Sequence, residues 1–529
     1  MDSITLLFIS IVLISCLIAD KLTKKIGLPS LFIFLCLGMI FGSDGLFKID
    51  YSEYNFTDEI CSVLLLFIMF TGGIGTNIRI PKKVLIPSAL LSTIGVVITI
   101  LVLGFSIHII FNTSILSSFL LASAISPTDA ATVFNILKNK KLNLKNNTSS
   151  ILAIESGSND PFSYLFTIIF IALINATNVN IPLLFFKQIF FGILIACLCA
   201  QLSIYILNKY DFEDNTSGTI FLFALSIFCY SFTKRIDGNQ YLAVYIFGII
   251  LGNSFIPRKN EIIRFFNNIT NLSQMIIFFL LGLLVTPHTL INLLIPSIII
   301  FFILTFFARP IAISAIMFPF KSSINQVSLI SIAGLRGASS IVFAIIATVS
   351  INDANDNIFN IVFIIVIFSI LLQGTLLPNF SKVLGMIDNH ENVMKSFNDY
   401  ADDNDINFVK LRLQKEHPWV GKMIKEISPP DSLIAMIIRE NNNIRPSGSF
   451  YLEENDIIIL AGTQFISKEN LSFIEININK NHSFQGKEIK NINLDKDNLI
   501  IMIKRNKETI IPNGNTKIVI GDSVIMCKY

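Results

Sequence analysis

Polar and acidic side chains interrupt two long hydrophobic stretches in the first half of this chain. The first stretch contains Ser126-Pro127-Thr128-Asp129, and the second contains Glu155-Ser156-Gly157-Ser158-Asn159-Asp160-Pro161. A charged side chain at the centre of a bilayer costs about 2.5–3.5 kcal/mol, so three unpaired acids would cost about 10 kcal/mol. We therefore expect these acids either to be paired or to bind an ion.

Pro127 suggests how the first segment could bind a cation. Proline lacks a backbone N–H and disrupts a helix, which leaves carbonyl oxygens without partners beside Thr128 and Asp129. Unwound carbonyl groups next to a carboxylate form a site for a partly dehydrated monovalent cation. The alternative is a proline kink beside one solvated acid. The ion site is favoured because acids inside a membrane are rarely without function.

The second segment has two functional faces if it is helical. Residues four apart share a face of a helix, so Ser156 and Asp160 form one stripe while Glu155 and Asn159 form the neighbouring one. The first stripe can offer oxygen atoms to an ion. The second can meet a structural partner elsewhere in the protein.

Two arginines lie in later hydrophobic stretches, and one of them is the expected structural partner. We expect Arg336, in Gly334-Leu335-Arg336-Gly337, to pair with Glu155 because the flanking glycines permit a close approach of helices. Arginine stays protonated, so its expected role is to neutralise and orient an acid rather than to carry a proton. Arg309 leaves two possibilities open: it faces the interior, or it extends to the lipid interface.

The composition indicates the environment of these residues. Of the 529 residues, 53% are hydrophobic and only 15% are charged, and the mean hydropathy is +0.67. Soluble chains carry about 25% charged residues. The net charge of +3 is too small to indicate nucleic-acid binding. The number of cysteines, seven, is odd and suggests no disulfide framework. We expect a membrane protein with no metal, no cofactor and no nucleic-acid partner, and not a soluble enzyme.

The elements that position the acids are about thirteen hydrophobic stretches before residue 385, most of them near the ~20 residues needed to span a bilayer. We predict an all-α polytopic membrane domain over residues 1–385. The stretches lie near 4–20, 28–43, 57–76, 85–110, 115–137, 150–174, 183–208, 217–233, 240–254, 270–286, 292–317, 323–350 and 357–378.

The loop charges predict an orientation. In the loops between the hydrophobic stretches, most of the lysines and arginines fall in one alternate set, chiefly near positions 21–25, 79–83, 138–145 and 258–264. Positive loops remain in the cytoplasm. The N-terminus is therefore predicted to lie outside, and an odd number of crossings would place the C-terminus inside.

From about Met394 the chain becomes polar and repeats itself. Short runs such as Leu433–Ile438 and Ile457–Leu460 are typical of β-strands. Gly421-Lys422, Arg439, the segment 444–448 and Asn455-Asp456 return 65 or 66 residues later as Gly486-Lys487, Arg505, 510–514 and Gly521-Asp522. We predict a linker over 386–404 and two small cytoplasmic α+β modules over 405–467 and 468–529. Neither half contains a glycine-rich phosphate loop followed by a helix, which argues against a nucleotide-hydrolysing unit.

Three motifs together carry a resemblance to a known family. Ser126-Pro127-Thr128-Asp129-Ala130, Glu155-Ser156-x-x-Asn159-Asp160-Pro161 and Gly334-Leu335-Arg336-Gly337 resemble the signatures of the monovalent cation:proton antiporter 1 family, the NhaP-type exchangers. Their order and spacing match across roughly residues 1–385. The tail resembles two RCK C-terminal domains, and this pairing is similar to that of bacterial NhaP-type potassium/proton antiporters.

The resemblance implies a fold, an assembly and a set of roles. The implied fold has inverted repeats divided into a dimerisation domain and a mobile core domain, in a homodimer of the bacterial inner membrane. The implied motion is elevator-like, and the fifth and twelfth helices, both interrupted, would cross near the site. By motif, Asp160 is the exchanged carboxylate, and Asn159 with Arg336 stabilises the core. The residues implied to help bind the cation are Thr128, Asp129, Glu155 and Ser156.

The predicted function is secondary antiport of a monovalent cation, K⁺ or Na⁺, against protons. If Asp160 binds either a proton or a cation, exchange is obligatory, provided that its pKa lies near cytoplasmic pH. An asparagine before the aspartate suggests one proton per cation and therefore electroneutral exchange. The RCK-like tail, with an unidentified small ligand, favours potassium, and a sodium/proton antiporter of the same fold is the alternative. A ligand-gated potassium channel is less favoured because the chain has no carbonyl filter of the Thr-Val-Gly-Tyr-Gly kind.

Overall fold

A computed structural model describes most of the chain. The described residues are 3–26, 29–76, 82–129, 132–133, 144–177, 180–209, 217–254, 256, 259–351, 357–388, 406–413, 417–427, 432–439, 442–463, 472–479, 482–492, 498–505, 508–510, 512 and 514–528. Most of the predicted linker, and most of the fifth hydrophobic stretch after Asp129, lie outside these ranges.

The membrane part is helical, and each of the thirteen predicted stretches contains helix. The helices of its first part are α1 (Ser3–Ile26), α2 (Ser30–Phe41), α3 (Tyr54–Gly75), α4 (Lys82–Leu90), α5 (Val96–Phe111), α6 (Ile115–Ile125), α7 (Thr148–Ile174), α8 (Ile181–Lys209) and α9 (Ser217–Arg235). Those that follow are α10 (Gln240–Asn253), α11 (Lys259–Leu284), α12 (Pro287–Leu290), α13 (Leu294–Ile303), α14 (Arg309–Met317), α15 (Ile324–Ile332), α16 (Ala338–Ser350), α17 (Ile358–Phe368) and α18 (Gly374–Val383).

Several of these helices are parts of longer spans. Within the described ranges, eight continuous helical spans are long and apolar enough to cross a membrane, and α2, α6, α10 and α16 are shorter apolar helices. Single π-helical turns at Leu91–Gly95, Leu304–Ala308 and Ser369–Gln373 join α4 to α5, α13 to α14 and α17 to α18. Such turns place side chains differently from an α-helix and are frequent at functional sites.

The membrane helices pack in two groups. In the first group, α3 packs on α10 and α11, α2 packs on α11, and α8 packs on α10. In the second group, α6 packs on α5 and α7, α4 packs on α7, and α17 packs on α13 and α16. The groups meet where α7 and α16 of the second contact α10 and α3 of the first. The polar segments predicted from the sequence belong to the second group.

The tail contains two sheets with the same topology. The first has the order β1-β4-β2-β3 and the second the order β5-β8-β6-β7, both antiparallel. The strands are β1 (Ile406–Arg412), β2 (Ser432–Arg439), β3 (Asn442–Ile444), β4 (Ile457–Thr463), β5 (Ser472–Asn477), β6 (Asn498–Arg505), β7 (Glu508–Ile510) and β8 (Ser523–Lys528). The strands predicted at 433–438 and 457–460 are confirmed. The helical content of the described tail consists of the 3₁₀ turns Ile424–Glu426 and Ile489–Asn491.

Each sheet contains the same ion pair, in which the aspartate is buried and the arginine is partly exposed. Arg439 at the end of β2 donates from Nε to Asp456 Oδ1 at 2.7 Å, and Arg505 donates to Asp522 at the same distance. Both carboxylates are fully buried. Burial alone would raise the pKa of Asp456, but the hydrogen bonds from Arg439 and from the Glu453 amide outweigh it, and the pKa lies below its ordinary value. The repeat seen in the sequence is therefore a repeat of the residues that hold each sheet.

Replacing Asp456 with Asn should destabilise the first sheet by about 2–3 kcal/mol, because it leaves the arginine without its buried partner. Since the folded pKa of Asp456 is lowered, its contribution is complete above the ordinary aspartate pKa of about 4 and is lost as the pH falls through the folded pKa. Hydrogen exchange of the β2 and β4 amides in the full chain measures this. Asp522→Asn, the matched control, should affect β6 and β8 instead. Unchanged protection of β4 in Asp456→Asn would contradict the assignment.

Candidate ion-binding site

Two breaks in helical structure meet within the second helix group. Helix α6 ends at Ile125, and the chain is not helical over 126–129; the other interruption lies over 334–337, between α15 and α16. The Asp129 N–H donates to the carbonyl of Leu335 at 2.8 Å. This backbone hydrogen bond joins the two breaks directly. Most of the fifth stretch after its break lies outside the described residues, and the predicted crossing of the fifth and twelfth helices stays a prediction.

Arg336 satisfies the carbonyl groups that the first break leaves free. Its Nη1 donates to the carbonyl oxygens of Ser126 at 2.5 Å and of Pro127 at 2.7 Å, and its backbone N–H donates to Ser369 Oγ at 2.8 Å. The side chain is 1% exposed. The prediction that Arg336 pairs with Glu155 is wrong, because the guanidinium is directed to backbone carbonyls at the break. Its role in stabilising the core stays a prediction, which these bonds support.

The partner of Glu155 is Arg309. Arg309 Nη1 lies 2.5 Å from Glu155 Oε1, with side-chain exposures of 6% and 0%. Of the two possibilities left open for Arg309, the structure shows the interior one. Gly334 makes room for it, because a Cβ at this position would lie 2.7 Å from Arg309 Nε. The glycine of the predicted motif therefore leaves space for the side chain of Arg309, which lies on α14.

Hydroxyl and amide groups link α7 to the first break. Thr128 Oγ1 lies 2.7 Å from Ser156 Oγ, and Asn159 Nδ2 donates to Thr128 Oγ1 at 2.6 Å. The backbone N–H of Thr128 donates to Asn159 Oδ1 at 3.4 Å. The structure thus brings together three of the residues predicted from the two motifs, and all three are buried.

The Asp129 carboxylate accepts hydrogen bonds from a residue that follows it in the chain. Its Oδ1 accepts from the Thr132 N–H at 3.1 Å and its Oδ2 from the Thr132 hydroxyl at 2.6 Å, a pattern typical of a helix N-cap. The carboxylate also packs against Gly337, where any Cβ would overlap it. This geometry places Asp129 where the two breaks meet but gives its oxygen atoms protein donors.

Asp160 lies in the middle of α7 and is 3% exposed. Ser339 Oγ, in the first turn of α16, donates to Asp160 Oδ2 at 2.5 Å. Among the described residues, Oδ1 has no hydrogen-bond partner. A buried carboxylate oxygen without a donor is costly, and either a proton or a cation would relieve it.

Two residues of the site, Arg309 and Ser339, escape sequence reasoning. Arg309 offered a signal, since a charge inside a hydrophobic stretch is unusual, but its partner could not be identified from spacing. Ser339 offered almost none, because serines are common in membrane helices. Its position after a glycine-rich break was the one available indication.

The sequence from residue 9 to residue 383 matches the model of the transmembrane sodium/hydrogen exchanger family. The chain belongs to the sodium/hydrogen exchanger family. It is a multi-pass membrane antiporter, and the resemblance seen in the motifs is confirmed. Residues 408–464 and 473–527 each match the TrkA-C domain, so the exchanger carries two such domains in its tail.

Similar proteins match most of this exchanger. The K(+)/H(+) antiporter NhaP of Alkalimonas amylolytica is 30% identical over 436 residues, which cover 81% of this chain and 76% of the relative. The K(+)/H(+) antiporter NhaP2 of Shewanella sp. (strain MR-4) is 29% identical over 454 residues, covering 84% and 79%.

A solved structure has the same fold. The sodium proton antiporter MjNhaP1 from Methanocaldococcus jannaschii, solved at pH 8, superposes with a TM-score of 0.63 at 21% identity. The match covers 72% of this chain and 97% of that one. The predicted polytopic helical fold, followed by small modules with strands, is therefore confirmed.

Proposed function

We propose that this exchanger moves K⁺ against H⁺ in an electroneutral cycle, with Asp160 as the carboxylate that both ions share. The observation that carries the proposal is the buried Oδ1 of Asp160, which has no hydrogen-bond partner within the described ranges and lies near the two helix breaks. Among the described residues Glu155 Oε2 also has no hydrogen-bond partner, but Glu155 differs from Asp160 because its Oε1 is paired with Arg309. Asp129 accepts from Thr132 with both oxygens.

Competition at one carboxylate is sufficient for coupling. A cation and a proton cannot occupy the same oxygen atoms together, and the unloaded carboxylate is the form least able to be carried through an apolar path. Thr128 and Ser156, whose hydroxyls lie 2.7 Å apart beside the break, are the proposed neutral ligands that complete the site. Glu155 and Asp129 remain proposed contributors to cation binding, through their negative charge.

The stoichiometry follows from the neighbour of Asp160. Asn159 is neutral and its amide is bound to Thr128, so the site offers one exchangeable carboxylate rather than two. One proton then leaves for each cation that binds. Each pH unit across the membrane supplies about 1.36 kcal/mol to move the cation.

The choice of potassium is supported by the relatives that share most of the chain, which are named K(+)/H(+) antiporters. Sodium is the second candidate, supported by the sodium proton antiporter whose fold this chain shares. We further propose a homodimer in the bacterial inner membrane, with the N-terminus outside and the TrkA-C tail in the cytoplasm as a ligand-binding regulator. The predicted boundaries at 386–404, 405–467 and 468–529 are retained as part of this proposal.

Proton movement in everted membrane vesicles tests the proposal. Vesicles are acidified by respiration in the presence of a pH-sensitive dye, and potassium chloride or sodium chloride is then added. We expect potassium to restore the fluorescence with this protein and not in vesicles that lack it. Restoration by sodium alone would replace potassium with sodium in the proposal. No response to either ion, in the full chain or after removal of residues beyond 379, would contradict cation–proton exchange.

A further inference from the structure

The chain that leaves α18 docks on the segment that begins α7. The backbone N–H of Lys145 donates to the Met386 carbonyl at 2.8 Å, and its Nζ donates to the Gly385 carbonyl at 2.9 Å. We call residues 384–387 the strap. It carries the chain from α18 towards the tail, and it is bound on the way to the residues that lead into the helix of the ion site.

The end of α18 turns the strap towards Lys145. The Gly385 N–H donates to the Lys382 carbonyl and the Met386 N–H to the Ser381 carbonyl, both at 3.0 Å, which is the pattern of a Schellman motif. Gly385 has a φ of +63°, a left-handed conformation that glycine adopts at low cost. The carbonyls that follow this turn no longer belong to the helix and accept from Lys145 instead.

Backbone pairing and apolar packing reinforce the contact. Leu144 and Ile387 form an isolated antiparallel β-bridge. Leu144 and Met386 are 5% and 3% exposed, and both belong to the hydrophobic cluster that contains Ile151 and Leu152 of α7. Burial of apolar side chains is the main favourable term in packing, so the strap has a fixed place beside the first turns of α7.

Lys145 also holds the start of α7. Among the described residues, the N-cap Asn147 makes no side-chain capping hydrogen bond, and Asn146 and Asn147 have φ values of +57° and +53°. The first N–H groups of a helix need partners outside it. Here the N–H and the hydroxyl of Thr148 donate to the Lys145 carbonyl at 3.1 Å and 2.6 Å. Lys145 therefore binds α7 through its carbonyl and the strap through its two N–H donors.

Helix α15 meets the strap at the same place. Asn325 Nδ2 donates to the Leu384 carbonyl at 3.1 Å. The next residue, Gln326, donates from Nε2 to the Asn146 carbonyl and to Thr148 Oγ1, both at 3.2 Å. Helix α15 leads to the second helix break, and α7 carries the proposed exchanged carboxylate. The strap thus contacts the first turns of both helices that run to the site.

We propose that the strap is the point at which the tail acts on the ion site, with Lys145 as the positioning residue that links the strap to α7. The inference rests on the proposed function, in which the tail regulates exchange at Asp160. Asp160 follows Thr148 on one continuous helix, about 18 Å further along its axis. A rigid helix carries a displacement from one end to a distant site. A tail that releases the strap therefore frees the first turn of α7, and Asp160 moves with it.

Paired variants of the full chain test the proposal. Lys145→Met removes the Nζ donor and keeps the stem of the side chain, and Asp456→Asn perturbs the first sheet of the tail at its bond with Arg439. Each variant releases α7 from the folded tail. We expect both to change the exchange rate in vesicles in the same direction by about two- to tenfold, because the net worth of a hydrogen bond at the strap sets the effect. The double variant should change the rate no further.

Two further substitutions are the controls. Lys145→Arg keeps a donor at the strap and should retain the wild-type rate. Lys187→Met removes another exposed lysine, which donates to Asp237 in the first helix group. It should leave the rate unchanged, and in combination with Asp456→Asn it should leave the effect of the tail variant intact.

The outcomes separate the strap from the proposed function. Effects that multiply in the double variant, effects of opposite sign, or an Asp456→Asn chain that exchanges at the wild-type rate would overturn the strap as the route from the tail. A wild-type protein that exchanges no cation for protons would contradict the proposed function instead.

Hydrogen exchange of the purified full chain tests the same link without a transport assay. Lys145→Met and Asp456→Asn should each lower the protection of the amides of residues 149–152, in the first turns of α7, and Lys187→Met should not. Unchanged protection in Lys145→Met would refute the role of Lys145. Unchanged protection in Asp456→Asn would refute the link from the tail to α7.

Discussion

Replacing Asp160 with asparagine should reduce cation–proton exchange to the level of vesicles that lack the protein. Asparagine keeps the size of the side chain and can still accept from Ser339, so the packing of α7 against α16 is retained. Asparagine can neither release a proton nor carry a negative charge, so it cannot exchange a proton for a cation. Dye fluorescence in everted vesicles gives the exchange rate, and size-exclusion chromatography of the purified variant shows whether it folds.

The matched control for this variant is Asp58→Asn. Asp58 also lies in a membrane helix and also accepts from a serine, Ser62, at 3.1 Å, but it belongs to α3 in the first helix group. It should retain exchange. Wild-type exchange rates in Asp160→Asn would remove Asp160 from the mechanism, whatever the control shows.

Replacing Arg309 with methionine should destabilise the protein by about 3–5 kcal/mol. The substitution leaves the Glu155 carboxylate, which is 0% exposed, without its cationic partner. Removal of one member of a buried ion pair is strongly destabilising, whereas replacement of both members by apolar side chains is often neutral. We therefore expect Glu155→Leu with Arg309→Met to recover most of the loss. Thermal unfolding of the purified protein in detergent measures both variants.

An exposed ion pair serves as the reference for this experiment. Lys187 and Asp237 lie 3.3 Å apart with side chains 38% and 68% exposed, and such pairs contribute about 0–1 kcal/mol. Lys187→Met should therefore change the unfolding temperature little. If Arg309→Met changes it equally little, the ion pair does not stabilise the helix group. Exchange retained by the double variant would assign Glu155 to structure, and exchange lost in a stable double variant would assign it to cation binding.

Hydrophobicity was sufficient to locate the membrane helices, because a span needs a long apolar run whatever its neighbours are. The break at Pro127 was also predictable, since proline disrupts a helix locally, whereas the break around Gly334 and Gly337 was implied only by the family resemblance. The partner of Glu155 could not be predicted from the sequence. Arg309 and Arg336 both lie in apolar stretches, and which of them reaches an acid depends on how three helices cross.

The tail shows a similar division. Its repeat was visible because equivalent turns need equivalent residues, and Asp456 and Asp522 fall at matching positions. That each aspartate binds the arginine of its own repeat, Arg439 or Arg505, requires the sheet order, in which β4 and β8 lie beside β2 and β6. Pairing between distant strands is a property of topology and has no local pattern.

The reciprocal bonds between the two helix breaks have a consequence for how the chain is made. The carbonyl groups of Ser126 and Pro127 depend on Arg336, which follows 210 and 209 residues later. At a synthesis rate of about 5–20 residues per second, the first break leaves the ribosome roughly 10–40 s before its partner exists. Unpaired carbonyls are unstable in lipid over that time. We therefore expect the early helices to wait beside water or the insertion machinery, and the junction of the two breaks to be completed late in membrane assembly.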